Sequence, residues 1–272
     1  IGSLETINPR TVGVEALGLW AMQQIDFVGL LESLGLNGPL RTAAVASIIG
    51  RMAAPASENA TYTWMTQRSA LGELLDVDFS AQPLMKLYRA SDALLWHRDA
   101  IEHQVFARIA DMFGCHTTVA LYDLTNTYME GGAAANPKAW RGRSKEKRKD
   151  CPLVTLALVL DSSGFVRESR SFEGNVVEGN TPEQMLTALK APKGALVVMD
   201  AGIAKEENLQ WLRTNNYRYL AVSREKSRQF DPEQAIAINN AGGETVRLQK
   251  VIDEETGEAR LYCHSEARER KE

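Results

Sequence analysis

The chain has 272 residues, of which 44% are hydrophobic and 24% charged, and its formal net charge at pH 7 is −4. This length suffices for one large domain or two modest ones, and no apolar run approaches the roughly 18 residues that a membrane span needs. The three cysteines are far apart and fit neither a zinc site nor a disulfide framework, which favours a reducing, cytoplasmic setting. The sequence contains neither a P-loop nor a GxGxxG motif, so it gives no support to a nucleotide cofactor.

The N-terminal part of the chain has the periodicity of helices. Apolar residues recur at helical spacing between residues 14 and 34, which predicts one long helix there. Further helices are predicted over residues 41–52, from Ser57, whose hydroxyl can cap its helix, and over residues 99–113. The apolar stripes of these helices are typical of packing faces. We therefore predict an all-α domain over residues 1–116.

From residue 119 onward, short apolar runs alternate with helical segments. The runs at 119–123, 152–160 and 165–172 predict three strands, and the Gly-containing turn at 161–164 joins the last two as a hairpin. Thr181 and Pro182 have the chemistry of a helix start. A strand then ends at Asp200, and a helix at 204–215 and a strand at 217–222 follow it.

This order of elements predicts a mixed sheet. The first three strands form an antiparallel meander, and a right-handed crossover then makes the strand before Asp200 a parallel neighbour of the strand that ends at Asp123. The fold class is therefore α/β, with a ribonuclease-H-like sheet over residues 117–230. Two further strands, at 244–252 and 259–264, predict that residues 231–272 begin a β-rich insertion.

Two aspartates follow strands that the topology makes neighbours. The carboxyl ends of parallel strands meet at one edge of a sheet, so Asp123 and Asp200 are expected to lie together. Two carboxylates there can hold a divalent metal ion against a phosphodiester. An aspartate after a strand also commonly closes a turn or caps a helix, and for either residue alone that interpretation is the more common one. The pair together favours catalysis.

Residues 138–150 form a strongly basic segment with seven Lys or Arg residues and two acidic ones. Such a run is either a solvated loop or a loop that contacts phosphates. Because it follows the Asp123 strand, the second interpretation is favoured. The predicted DNA contacts come from its cations, with Trp140 stacking on an unpaired base. The cations are Arg141, Arg143, Lys145, Lys147, Arg148 and Lys149.

Four sequence blocks, in order, resemble the DDE transposases of bacterial insertion sequences, in the superfamily typified by insertion sequence four. The first block, at 122–128, reads Tyr-Asp-Leu-Thr-Asn-Thr-Tyr, and the second, at 142–154, is the basic segment running into an apolar strand. The third is Phe-Glu-Gly-Asn at 172–175, and the fourth is Val-Met-Asp-Ala-Gly-Ile-Ala at 198–204. The resemblance covers residues 119–230 and, loosely, the helical region 11–114.

This resemblance implies an activity and a set of site residues. Asp123 matches the first catalytic aspartate of the family and Asp200 the second, and two Mg²⁺ (or Mn²⁺) ions are expected between them. The implied reaction is hydrolytic cleavage of double-stranded DNA followed by 3′-hydroxyl strand transfer, at transposon ends and target, by a homodimer when full length. Asn126 is expected to orient the Asp123 carboxylate, to contact DNA, or to cap a turn.

The family's third acid, a glutamate in a helix, has no match in this chain. Residues 244–264 resemble the start of the β-rich insertion that precedes this glutamate in the family. The expectation is therefore that the chain stops before its third catalytic residue.

Two other functions remain open. Residues 123–127, Asp-Leu-Thr-Asn-Thr, are similar to the Asp-x-Asp-x-Thr motif of haloacid-dehalogenase-like phosphatases, in which the first aspartate is phosphorylated. Here Thr125 stands where that motif has its second aspartate, and the predicted strand order does not fit. The other possibility is a transposase remnant that binds DNA without cleaving it.

Overall fold

A computed structural model describes residues 7–115, 119–131, 133–142, 148, 150–189, 192–223, 230–240, 242–254 and 257–266, without the side chains of 119–123, 178 and 188. The chain divides into two units, residues 1–222 and 223–272. The predicted domain boundaries after residues 116 and 230 stay predictions. No helix among the described residues combines the length and the apolar character that crossing a membrane requires.

The described residues up to 115 form seven α-helices. They are α1 (Gly13–Gln24), α2 (Phe27–Ser33), α3 (Gly38–Ala53), α4 (Glu58–Gln67), α5 (Leu71–Leu75), α6 (Met85–Trp96) and α7 (Arg98–Phe113). Their shared core contains fully buried side chains from α2, α3 and α4, such as Leu30, Ile49 and Met65. Ser57 caps α4 as predicted, because its hydroxyl accepts a hydrogen bond from the Ala60 amide at 3.3 Å.

The single helix predicted over residues 14–34 is wrong, because it breaks into α1 and α2 at Asp26. Asp26 has a left-handed φ of 45°, and its carboxylate accepts the Gly29 amide at 3.3 Å, which caps α2. Beyond the break, Phe27, Leu30 and Leu31 of α2 are buried. The Asp26 cap therefore starts a new helix, although apolar residues recur at helical spacing on both sides of it.

Residues 119–221 form a five-stranded sheet with two helices. The elements are β1 (Val119–Tyr128), β2 (Leu153–Leu160), β3 (Val166–Glu173), α8 (Pro182–Leu189), β4 (Leu196–Met199), α9 (Glu206–Thr214) and β5 (Arg218–Ala221). The strand order is β3-β2-β1-β4-β5. Strands β1, β2 and β3 are antiparallel, whereas β4 runs parallel to both β1 and β5. The predicted meander and the predicted parallel neighbours are therefore confirmed.

One face of this sheet packs against α8 and α9. Burial alternates along β2, and Ala157 and Val159 on the covered face are fully buried beside Leu124 of β1. Met185 of α8 and Leu212 of α9 close the same core. Burying one such side chain stabilises the fold by about 1.5–3 kcal/mol, so this core fixes the sheet on its two helices.

The second unit contains a three-stranded antiparallel sheet in the order β6-β7-β8, formed by Ile236–Asn239, Thr245–Ile252 and Ala259–His264. The predicted pairing of the last two strands is confirmed, although residues 255 and 256 of the turn lie outside the described residues. Strand β6 was not predicted, because it has four residues and all of them are exposed. Such a strand has no alternating pattern of burial to signal it.

Candidate functional site

Strand β1 continues past Asp123, so the prediction that this strand ends at the aspartate is wrong. The second half of β1 pairs with β2, from Leu124 opposite Ala157 to Tyr128 opposite Leu153. Strand β4 accompanies only the first half, and their pairing ends at Tyr122 opposite Met199. Asp123 therefore lies at the point where β1 loses its parallel neighbour.

The register between β1 and β4 relates the two aspartates directly. Each paired residue of β4 is numbered 77 higher than its partner in β1, as in Val119 opposite Leu196. Asp123 and Asp200 are the residues that directly follow the last pair of this register, Tyr122 opposite Met199. Neighbouring strands lie about 4.8 Å apart, so the two backbones come close together. The side chain of Asp123 lies outside the described side chains, and the metal site stays a prediction.

Asp200 closes the turn that follows β4. Its Oδ1 accepts hydrogen bonds from the amides of Gly202 at 3.0 Å and Ile203 at 3.1 Å. Its carbonyl oxygen accepts the Ala204 amide at 3.1 Å. The turn-closing role that the sequence left open is therefore present. The residue is exposed, and both described bonds of the carboxylate reach Oδ1, so lone pairs on Oδ2 suit a cation.

A divalent cation fits this donor set in chemical type. Magnesium and manganese prefer hard carboxylate oxygens and keep several water ligands, so few protein ligands are needed. Among the side chains that the structure describes, no three His, Cys, Asp or Glu residues group closely enough to hold a metal ion. Asp123 and Asp200 would be the ligands that this chain supplies.

Asn126 lies within β1 and pairs with Thr155, so it does not cap a turn. It is three residues from Asp123 in an unbroken strand, and positions an odd number apart belong to opposite faces. Asn126 shares the face of the buried Leu124 and is itself half-buried. Direct orientation of the Asp123 carboxylate by Asn126 is therefore not expected, and a DNA contact stays a prediction.

The base of the loop between β1 and β2 is closed by backbone hydrogen bonds. The Met129 amide donates to the Pro152 carbonyl at 2.9 Å, and Trp140 and Leu153 exchange two bonds of 2.9 and 3.1 Å. This base lies at the Tyr128 end of β1, about 16 Å along the strand from Asp123. The basic segment was expected to leave the sheet directly at the aspartate. It leaves the sheet at the far end of β1, because pairing with β2 extends β1 past Asp123.

Residues 136–142 form a strap that lies against the end of β3. The Gly174 amide donates to the Lys138 carbonyl at 3.0 Å, and the Lys138 ammonium donates to the Ser171 carbonyl at 2.5 Å. A Cβ at Gly142 would come within 1.9 Å of the Gly174 carbonyl oxygen, so only glycine permits this approach. The hydrogen bonds at Lys138 and the close approach of Gly142 to Gly174 therefore hold the strap against the end of β3.

Trp140 is held by the strap with its ring accessible. Its indole N–H donates to the Pro137 carbonyl at 2.8 Å, and the residue is 53% exposed. An indole fixed in this way presents a π surface without further loss of side-chain freedom on binding. The predicted stacking on a base stays a prediction that this geometry allows.

Arg148 is engaged within the protein. It forms ion pairs with Glu130 at 2.9 Å and Asp150 at 2.5 Å, and its guanidinium lies 5.0 Å from the centre of the Tyr128 ring. The hydrogen bond from Arg148 lowers the pKa of Asp150 to about 2. Arg148 therefore ties the loop to the end of β1, a role that competes with its predicted contact to DNA.

The other predicted cations differ in what the structure describes. Arg141 is exposed and donates to the Asp150 carbonyl at 3.5 Å. Arg143, Lys145, Lys147 and Lys149 lie outside the described residues. Sequence analysis did not anticipate Glu130 and Asp150 as partners of Arg148. The available signal was that Asp150 ends the basic segment and that Glu130 lies two residues after β1.

No family model matches the sequence, and no curated protein matches it. Among solved structures, a piggyBac transposase in a synaptic complex with hairpin DNA is similar, with 11% identity, a TM-score of 0.37 and 82% of this chain covered. A Mos1 transposase in a paired-end complex with the left transposon end is similar over 62% of this chain, with 13% identity and a TM-score of 0.28. The chain spans 55% and 60% of their lengths. At this identity and TM-score, the similarity to the two transposases does not identify the activity of this chain.

Proposed function

We propose that this protein is a DNA transposase of an insertion sequence of the insertion-sequence-four type. It would act on double-stranded DNA in the cytoplasm, as a homodimer when full length. The proposed reaction is strand cleavage by water, followed by attack of the freed 3′-hydroxyl on a phosphodiester of target DNA, with the 3′-oxygen of the target strand as the leaving group. The observation that carries the proposal is the parallel register of β1 and β4, whose last pair, Tyr122 opposite Met199, directly precedes Asp123 and Asp200.

The five-stranded sheet supports the proposal through its connections. Its order and its parallel pairing of β1 with β4 are those of a ribonuclease-H-like sheet, which is the fold we propose for it. In such a sheet the carboxyl ends of parallel strands gather side chains from distant parts of the sequence. Asp123 and Asp200 are the acidic residues that the topology gathers here.

The two aspartates would bind and orient the metal ions, and the turn after β4 would hold the Asp200 carboxylate in a fixed direction. When bound, two magnesium or manganese ions would activate the attacking oxygen and stabilise the leaving oxygen of an in-line displacement at phosphorus. No covalent enzyme–DNA intermediate is needed, so the mechanism assigns no nucleophilic Ser or Tyr. The basic segment would neutralise part of the charge of the approaching DNA.

The proposal is tested by Asp123→Asn and Asp200→Asn in the full-length protein. Each change removes a negative ligand while keeping the side-chain volume, and asparagine can still accept the turn hydrogen bonds of Asp200. We expect cleavage and joining to fall by more than about 100-fold, beyond the usual effect of losing a group that merely supports a ligand. DNA affinity and the unfolding midpoint should stay unchanged. Asp92→Asn, which changes an exposed acid on α6, is the matched control.

Three outcomes would contradict the proposal. The first is retained cleavage by either variant at the wild-type rate. The second is a metal-soaked structure in which the two carboxylates lie more than about 8 Å apart without a bridging ion, because paired catalytic metals sit roughly 4 Å apart. The third is DNA binding by the full-length wild type without any metal-dependent cleavage, which would indicate the binding-only remnant.

A further inference from the structure

A cavity of about 380 Å³ lies along the edge of the five-stranded sheet, away from the two aspartates. It is bordered by β3, by the strap and by the first turns of α7 and α8, and its polar lining includes Arg98, Lys138, Arg170, Ser171 and Gln184. Three cationic side chains around one concavity indicate an anionic ligand. Sequence analysis singled out neither Arg98 nor Arg170, because they belong to elements far apart in the chain.

Arg170 has unused hydrogen-bonding capacity at this cavity. Its Nε is buried and faces Oε1 of Glu168 at 3.4 Å, so the donors left for a ligand are those of its two Nη groups. Among the described residues, no acceptor receives a hydrogen bond from its guanidinium. A guanidinium carries five N–H donors in a planar fork that matches the oxygens of a phosphate. Arg170 is therefore held near its acid but can still donate to a ligand.

Arg98 and Lys138 are also positioned with donors to spare. Arg98 directs Nε and Nη2 to Oδ1 of Asp99, which leaves its Nη1 without an acceptor among the described residues. Lys138 donates to the carbonyl and more weakly to the hydroxyl of Ser171. Asp99 therefore fixes the direction of Arg98 without using all its donors. The cavity lining also contains one acidic residue, Glu173. The cavity is thus built from pre-oriented cations rather than from loose surface side chains.

The N-terminus of α8 contributes to the same cavity. Thr181 is fully buried just before the helix, Pro182 occupies the first helical position, and Gln184 lines the cavity. The amides of the first helical turn lack partners within the helix, and the helix dipole favours an anion there. The N-terminus of α8 would therefore attract an anion in addition to the three cationic side chains and independently of them.

We propose that this cavity binds a phosphate group of the DNA backbone, as a subsite separate from the two aspartates. The choice of DNA as the source of the phosphate rests on the proposed function. The cavity lies two strands from Asp123, at the β3 edge: Asp123 pairs with Leu158 and Leu158 with Ser169, whereas the next residue, Arg170, belongs to the other face of β3. Two strand spacings make this about 10 Å across the sheet. The subsite would position the backbone without reading its sequence.

The test measures the affinity of the 272-residue protein for a short DNA duplex at several salt concentrations, without metal ions. Arg170→Gln should weaken binding to unrelated duplex sequences alike and reduce the slope of log affinity against log salt by about 0.9, the value for one lost phosphate contact. Arg89→Gln, which removes the same charge from the exposed surface of α6, is the matched control. It should leave the slope unchanged.

A second variant keeps the test decisive if Arg170→Gln does not fold. Gln184→Glu adds a negative charge at the cavity from an exposed position, where the helix N-terminus tolerates an acid. It should weaken DNA binding, whereas Gln210→Glu on the exposed face of α9 should not. The proposal is wrong if Arg170→Gln changes DNA binding no more than Arg89→Gln does, and Gln184→Glu no more than Gln210→Glu does.

A separate arm identifies the source of the phosphate. Inorganic phosphate at constant ionic strength should compete only weakly with the duplex. If it raises the unfolding midpoint of the wild type but not of Arg170→Gln, while both bind DNA equally, the ligand is a free phosphate and the proposal is wrong. Because no step needs a metal or cleavage, failure here leaves the test of Asp123 and Asp200 unaffected.

Discussion

Glu15 is a fully buried carboxylate in α1, and it links two parts of the helical region. Its Oε1 accepts hydrogen bonds from the Thr11 hydroxyl at 2.5 Å and the Ser69 hydroxyl at 2.7 Å. Burial by itself raises the pKa of Glu15, but these two hydroxyl donors lower it below its usual value. Thr11 and Ser69 also form an isolated β-bridge. The carboxylate therefore joins the segment before α1 to the segment after α4.

Replacing Ser69 tests this link. Ser69→Ala removes one donor from a buried carboxylate, so the free energy of unfolding at pH 7 should fall by about 1–3 kcal/mol. A lowered folded-state pKa gives stability that is present above the unfolded pKa and is lost as pH falls through the folded value. The difference between wild type and variant should therefore shrink below about pH 4.5 in denaturant titrations. Thr63→Ala, at an exposed position of α4, should change the stability by less than about 0.5 kcal/mol. A difference that stays constant with pH would show that Glu15 is not responsible.

The loop between β1 and β2 is attached at several points along its length. The strap is fixed to β3 through Gly174, and Arg148 ties the other end to Glu130 near the end of β1. Both attachments use contacts with segments distant in sequence. The described ends of this loop are therefore held by tertiary contacts.

The glycine contact in the strap predicts a sharp difference between two loop substitutions. Gly142→Ala would bring a methyl group against the Gly174 carbonyl, a backbone atom that side-chain rotation cannot move. The strap should shift, and the free energy of unfolding should fall by about 1–3 kcal/mol, as in other overpacked sites. A Cβ at Gly131, by contrast, meets nothing within 4 Å, so Gly131→Ala is the control. Chemical denaturation followed by tryptophan fluorescence would report both effects, and equal stability of the two variants would contradict the strap geometry.

At the scale of the whole molecule, both proposed sites lie in the first unit of the chain. Asp123, Asp200 and the phosphate cavity all belong to residues 1–222, whereas residues 223–272 form their own small sheet. The expectation that the third acid of the resembling family is missing from these residues stays a prediction. The two proposed metal ligands and the proposed phosphate cavity therefore belong to the same unit of the chain.

We accordingly expect the 272-residue protein to bind DNA but not to nick it. A supercoiled plasmid incubated with the protein and Mn²⁺ should stay intact over a time in which the full-length protein cleaves it. Asp200→Asn in the same assay separates genuine cleavage from a contaminating nuclease. Nicking by the wild type that this variant loses would show that the third acid is dispensable or already present, for example as Glu178 or Glu207.

Local patterns in the sequence determined much of the fold. Strand alternation, turn chemistry and the Thr-Pro start of α8 identified the strands of the larger sheet, and the handedness of crossovers then gave their order. The same rules predicted that Asp123 and Asp200 come together, because the ends of parallel neighbours coincide. The capping hydroxyl of Ser57 was predictable for the same reason: its partner lies three residues away.

The tertiary structure decided what depends on partners distant in sequence. Strand β1 extends to Tyr128 because β2 supplies hydrogen-bond partners for its second half, which moves the loop base away from Asp123. Arg148 holds the loop because it forms ion pairs with both Glu130 and Asp150. Arg170 lines a cavity with Arg98 and Lys138 because separate elements pack together there. The apolar period of α1 and α2 continued past the point where Asp26 breaks it. Local preferences of the residues set which segments form helices and strands and how they connect. Where each element ends and which charges meet were decided by the burial and hydrogen bonding that other segments provide.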